Sequence, residues 1–128
     1  MARDKWPQFL SKATEFFLSA QEGSERKRWN ASVSNAVHAG ILACDAITVG
    51  PLGRRNTGEH HEIVSLVRQA VKSGTLELEG NLRRIGRLLE IKNVAEYEGR
   101  PLGPKDAAGA ILDAERLLGF ATAESRRF

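Results

Sequence analysis

The side chains in this chain best suited to chemistry are Asp45, Arg54, Arg55, His60, His61, Lys92, Asn93, Tyr97 and Arg100. Together they supply a carboxylate, imidazoles, a phenol, an amide and guanidinium or ammonium cations, a set fit for holding an anion or moving a proton. Other chemistries lack their residues. One cysteine and three dispersed histidines do not make a structural zinc site, so no metal is expected. The stretch Gly80-Asn81-Leu82-Arg83-Arg84-Ile85-Gly86 has no Lys-Ser or Lys-Thr to make it a phosphate loop, and it falls inside a helical pattern. No Ser or Cys nucleophile has a recognisable local signature. No cofactor is called for.

Spacing gives these residues neighbours. Asn93 and Tyr97, four apart, share a helix face, with Lys92 about 100° round it, forming a cationic, hydrogen-bonding strip. An apolar stripe through Leu78, Leu82, Ile85 and Leu89 would continue inward at Lys92, Asn93 and Glu96, so polar residues replace apolar ones there. If the stripe drifts instead to Leu88, Ile91 and Ala95, Lys92 simply snorkels. His38 and Asp45, seven apart, stand about 10 Å from each other along one face. His38 reads as a hydrogen-bonded histidine in or beside the core. Asp45 interrupts an apolar run near a helix end, where a carboxylate can orient a histidine or arginine across the bundle, or be solvated in the last turn. His60 and His61 open a helix, where the dipole favours the neutral ring that can act as a base. The inward face there falls near 60, 63, 64 and 67, leaving His61 beside it as the histidine expected to face the site.

The elements that must position these groups are all helical. Trp6, Phe9, Leu10, Ala13, Phe16, Phe17 and Ala20 give a first helix from about Asp4 to Gln21, ended by Gly23-Ser24. A long central helix runs from about Glu25 to Val49 on Trp29, Val33, Val37, Ile41, Cys44 and Thr48. Gly50-Pro51-Leu52-Gly53 breaks it, and a third helix turns Ile63, Val67 and Val71 inward. Ser73-Gly74 closes that helix and Thr75 caps a fourth, which ends near Gly99. After Pro101-Leu102-Gly103, Pro104 starts a fifth helix lined by Ala107, Ile111, Ala114, Leu118 and Ala121, with residues after Ala123 expected to fray. No stretch alternates as a strand would. Short connections favour an up-and-down antiparallel bundle of four to five helices, which would put the loops after the second and fourth helices at one end and gather the candidate residues there.

Composition sets the remaining bounds. The 128 residues suit one domain, 1–128, with a core of about 5–122. A net charge of +3, from 19 basic and 16 acidic residues, is mild for a dedicated nucleic-acid binder. Val33–Val49 is interrupted by Ser34, Asn35, His38 and Asp45, so no membrane span is expected. No leader pattern opens the chain, which makes the cytoplasm the expected compartment. Cys44 sits in an apolar stripe and reads as core.

The run from Trp29 to Gly40, then Asp45-Ala46-Ile47, Gly53-Arg54-Arg55, His60-His61 and Lys92-Asn93-Val94-Ala95-Glu96-Tyr97 before an alanine-rich last helix, resembles bacterial HEPN (higher eukaryotes and prokaryotes nucleotide-binding) proteins over about residues 5–122. The resemblance implies a small helical bundle, commonly a homodimer. It also implies either a metal-independent RNase or a non-cleaving RNA- or nucleotide-binding module of a defence or toxin–antitoxin system, with an antitoxin or nucleotidyltransferase as partner. Active members carry Arg, a polar residue and a His four to six positions after the Arg on the helix that is the fourth here. This chain has Lys92, Asn93 and Tyr97 there, while Arg55-Asn56-Thr57-Gly58-Glu59-His60 has the spacing in a loop. Lysine lacks the bidentate fork and tyrosine is a poor base at neutral pH. Were the chain to cleave RNA, Arg55 and Lys92 would hold the phosphate and His61 would take the 2′-hydroxyl proton, assisted by Tyr97 or Asp45. Otherwise Arg54, Arg55, Lys92, Asn93 and Arg100 would bind phosphate, or the cluster would dock a partner. The missing motif histidine argues for binding, and a purely structural dimerisation module is the remaining alternative.

Overall fold

Apolar residues at three- and four-residue steps bury one stripe per helix, and helices are the only regular structure among the described residues, 1–71 and 76–128 of the computed structural model. A 3₁₀ turn at Arg3–Lys5 leads into α1 (Trp6–Glu25), followed by α2 (Trp29–Leu52), α3 (His60–Ala70), α4 (Leu76–Asn93) and α5 (Pro104–Ser125). The expected closure at Ser73-Gly74 and the Thr75 cap lie outside the described residues.

Small residues put α2 at the centre. Ala36, Ala39, Gly40, Ala43 and Cys44 are all buried, which lets α1, α4 and α5 approach its backbone closely. A Cβ on Gly40 would stand 2.4 Å from Leu88 Cδ1 and 3.3 Å from Leu117 Cδ1. By length and composition alone α2 could cross a membrane, but 67% of its most apolar 18-residue stretch is buried inside the bundle. Its apolarity is accounted for by its central position.

Three local expectations are corrected. Gly23 does not end α1, which continues to Glu25; it is buried where the α1 and α2 backbones meet, a Cβ there standing 3.2 Å from Ser32 Cα. The chain reverses instead at Lys27, which takes φ 59°. The far end does not fray at Ala123. α5 reaches Ser125, and the Phe128 ring packs edge-on against Trp6, with centroids 5.3 Å apart, over the bare backbone of Gly50. The fourth helix does not stay α to Gly99: after Asn93 it widens into a π turn at Val94–Glu98, stopped by Gly99 at φ 65°.

The largest difference is the direction of α3. His60 lies beside Gly86 of α4, and Arg68 binds Glu79 of α4, so α3 and α4 run oppositely. α2 and α4 also run oppositely, with Val33 and Val37 beside Lys92 and Ala95, and Gly40 beside Leu88. α3 therefore runs the same way as α2, and residues 53–59 carry the chain back along the bundle. The loops after α2 and after α4 do not share an end.

Candidate functional site

Asp45 lies on the part of α2 where every residue from Ala43 to Val49 is buried, and its own exposure is 1%. A carboxylate so placed needs donors on both oxygens. The returning loop supplies them: Arg55 Nη2 donates to Oδ2 at 2.9 Å and Asn56 Nδ2 donates to Oδ1 at 2.7 Å. The Arg55 guanidinium also lies 4.8 Å from the centre of the Phe9 ring. Burial pushes the Asp45 carboxyl above its ordinary range, and Arg55 and Asn56 oppose that push. The same dry surroundings push the neighbouring Cys44 thiol up.

The loop is fixed at its other end too. The Thr57 N–H and hydroxyl donate to the two Glu62 oxygens at 2.7 Å each, holding that carboxyl below its usual range and tying the loop to the first turn of α3. Just before the first anchor the loop presents Arg54 to solvent, next to Arg55, whose side chain is 45% exposed. The Arg55 Nε and Nη1 have no hydrogen-bond partner among the described residues.

The other candidates are dispersed. His60, rather than His61, is placed against α4, its ring 3.7 Å from where a Gly86 Cβ would stand. His61 points outward with its side chain 84% exposed, and its Nε2 lies 3.3 Å from Glu59. None of Lys92, Asn93 and Tyr97 is a hydrogen-bond partner of His61 among the described residues. Lys92 pairs with Glu96 at 3.2 Å on the side of α4 that faces His38. Asn93 lines the opposite groove, toward α5, with Arg87 and Asp113. Tyr97 is 80% exposed. Arg100 makes a forked pair with Asp106 at 3.1 and 3.2 Å, and Asp106 also accepts from the Gly103 N–H at the start of α5, which holds its carboxyl low. The structure thus joins Asp45 to Arg55, leaves Arg54 and His60 on the same loop and helix start, and separates the Lys92–Tyr97 segment from them.

Sequence reasoning passed over Asn56 and Phe9 as site residues. Asn56 carried a signal, since the buried carboxylate has two oxygens to satisfy and Asn56 directly follows Arg55. Phe9 carried none beyond its core periodicity. Among the described residues no cluster of His, Cys, Asp and Glu could hold a metal ion.

No curated protein sequence matches the chain. A family model for the HEPN domain matches residues 6–125, from the first turn of α1 to the last of α5. With a match over nearly the whole chain, and an all-helical bundle to go with it, the chain belongs to the HEPN domain family.

Proposed function

We propose that this HEPN domain is a binding module that recognises RNA or nucleotide phosphate at the loop between α2 and α3, without cleaving it. The observation that carries this reading is Arg55, fixed on one side by buried Asp45 and open to solvent on the other. A guanidinium held in place loses little side-chain freedom on meeting an anion, and exposed Arg54 adds a second cation. Dispersal of Lys92, Tyr97 and His61 supports binding over catalysis, because general acid–base work needs its groups within hydrogen-bond reach of one substrate atom. Working in the cytoplasm, as a homodimer or beside an antitoxin or nucleotidyltransferase of a defence or toxin–antitoxin pair, belongs to the same reading and is supported by family membership alone.

One observation favours metal-independent RNA cleavage as the second reading: His60 follows Arg55 on the same anchored segment, so a base and a phosphate-holding cation come from one piece of chain.

The two readings separate on one gel and one titration. Purified protein incubated with total RNA and tRNA in EDTA should leave both intact; cleavage that is lost in His60→Ala, His61→Ala or Lys92→Ala would overturn the binding reading. In a titration with single-stranded RNA, Arg54→Glu should weaken binding and reduce the slope of log K against log salt by about 0.7 for each phosphate that is no longer neutralised. Affinity and slope unchanged in that variant would remove the loop as the phosphate site.

A further inference from the structure

The loop and α3 cover the lower part of α2, but its upper outward stripe is bare. Ser34 and His38 are exposed there, between α1 on one side and the end of α4 on the other. From α1, Phe16 stands with 37% of its surface in solvent, its ring centre 5.3 Å from that of His38 and tilted by 37°. From α4 and the π turn, Lys92, Ala95 and Glu96 close the other wall, over a cleft of about 90 Å³ floored by Val33 and Val37. The partly exposed phenyl and the exposed imidazole, in ring contact and beside a cation, present π surface to solvent.

We infer that Phe16 and His38 form a stacking platform for an unpaired base of a single-stranded RNA, with Lys92 beside it for the adjoining phosphate. The inference rests on the proposed phosphate site and deepens it. His38 and Asp45 are seven residues apart, hence on one face of α2 and separated by about 10 Å along it. Asp45 is where Arg55 is held, so the platform and the phosphate-binding loop open onto the same line along the bundle. A single extended strand reaches from one to the other, whereas a base in a duplex has both faces covered and cannot enter. Flat aromatic faces with a neighbouring cation suit single strands of any sequence, because every base offers a π face. The paired Glu96 reduces the local positive charge, so stacking carries more of the binding here than phosphate attraction does.

The test uses the full chain and a short single-stranded oligoribonucleotide bearing 2-aminopurine, with the blunt duplex of the same sequence alongside. Phe16 and His38 are exposed, so Phe16→Leu and His38→Ala are expected to fold. Each should weaken single-strand binding about tenfold. Phe16→Leu should also abolish the 2-aminopurine quenching seen with the native chain while leaving the salt slope unchanged, and the duplex should bind more weakly. Arg54→Glu should do the opposite, lowering the slope and leaving the quenching in place. If Phe16→Leu keeps both affinity and quenching while Arg54→Glu still weakens binding, the platform is overturned and the phosphate site stands. Equal binding of duplex and single strand overturns the platform likewise. No binding of either strand form by the native chain overturns both.

Discussion

Arg55→Ala should destabilise the fold by about 3 kcal/mol, because it strips a buried carboxylate of its charge partner and leaves only Asn56 to answer it. The expected loss is at the low end for a broken buried pair because Arg55 is itself 45% exposed. Its pH dependence has a definite sign. Asp45 already titrates above its unfolded value of 3.8, and removing Arg55 removes the opposing influence that keeps the shift in check. A carboxyl whose native value lies above its unfolded one binds more protons when folded. Stability therefore rises as pH falls from the native value toward 3.8, and the penalty is fully present above the native value. Glu62 and Asp106 are shifted the other way, so their stabilisation is lost as pH falls; both are common to native chain and variant and cancel in the difference. Urea unfolding of the two proteins from about pH 7 down to about pH 4 should show the gap closing as the medium becomes acid. A gap that is constant, or widens, would mean that Asp45 is not the group left stranded. Adding Asp45→Asn to Arg55→Ala should recover much of the loss at neutral pH, since the double variant buries no charge.

The second large effect is in the core. Leu88→Ala removes a side chain that is 2% exposed, lies against Gly40 of α2 and lines a small cavity with Leu117 of α5, and should cost about 3 kcal/mol as a cavity-forming change. Gly40→Ala, set against that same side chain, should cost about 1 kcal/mol net: crowding at 2.4 Å from Leu88 Cδ1 outweighs the roughly 1 kcal/mol that alanine gains in a helix. In the Leu88→Ala background only Leu117 Cδ1, at 3.3 Å, must still give slightly, so the cost of Gly40→Ala should fall to about zero or below. Thermal or denaturant unfolding of all four proteins would read this coupling. Additive effects would show that Gly40 is not where α2 and α4 set their separation.

Much of the fold is legible in the sequence. Periodicity of apolar residues marks the helices because a helix must bury one stripe whatever packs on it, and the absence of alternation excludes strands. The break at 101–103 is visible because proline and glycine act locally, whereas α2 runs on through Gly50 and Pro51 to Leu52 and is stopped only by Gly53 at φ 65°. Asp45 stands out as a charge inside an apolar run, which burial makes informative wherever the helix ends up. What local pattern does not carry is direction and partnership. A short connection favours an α3 that runs back along α2; instead the loop itself returns, held by Asp45 and Glu62, and α3 runs alongside α2 in the same sense. Gly23 looks like a helix stop but is a point of backbone contact, a role that depends on Ser32 across the hairpin.

The sequence by itself thus determined the fold class, the central place of α2 and the chemical types on offer, since these follow from composition and spacing along one helix at a time. Only the tertiary structure decided which groups meet. It joined Asp45 to Arg55 and Asn56, turned His60 toward α4 and His61 to solvent, and set Lys92 beside His38 rather than Arg55. The physical reason is that helix direction and loop path are settled by long-range burial and by the need to satisfy a buried carboxylate, neither of which leaves a mark within a single turn of sequence.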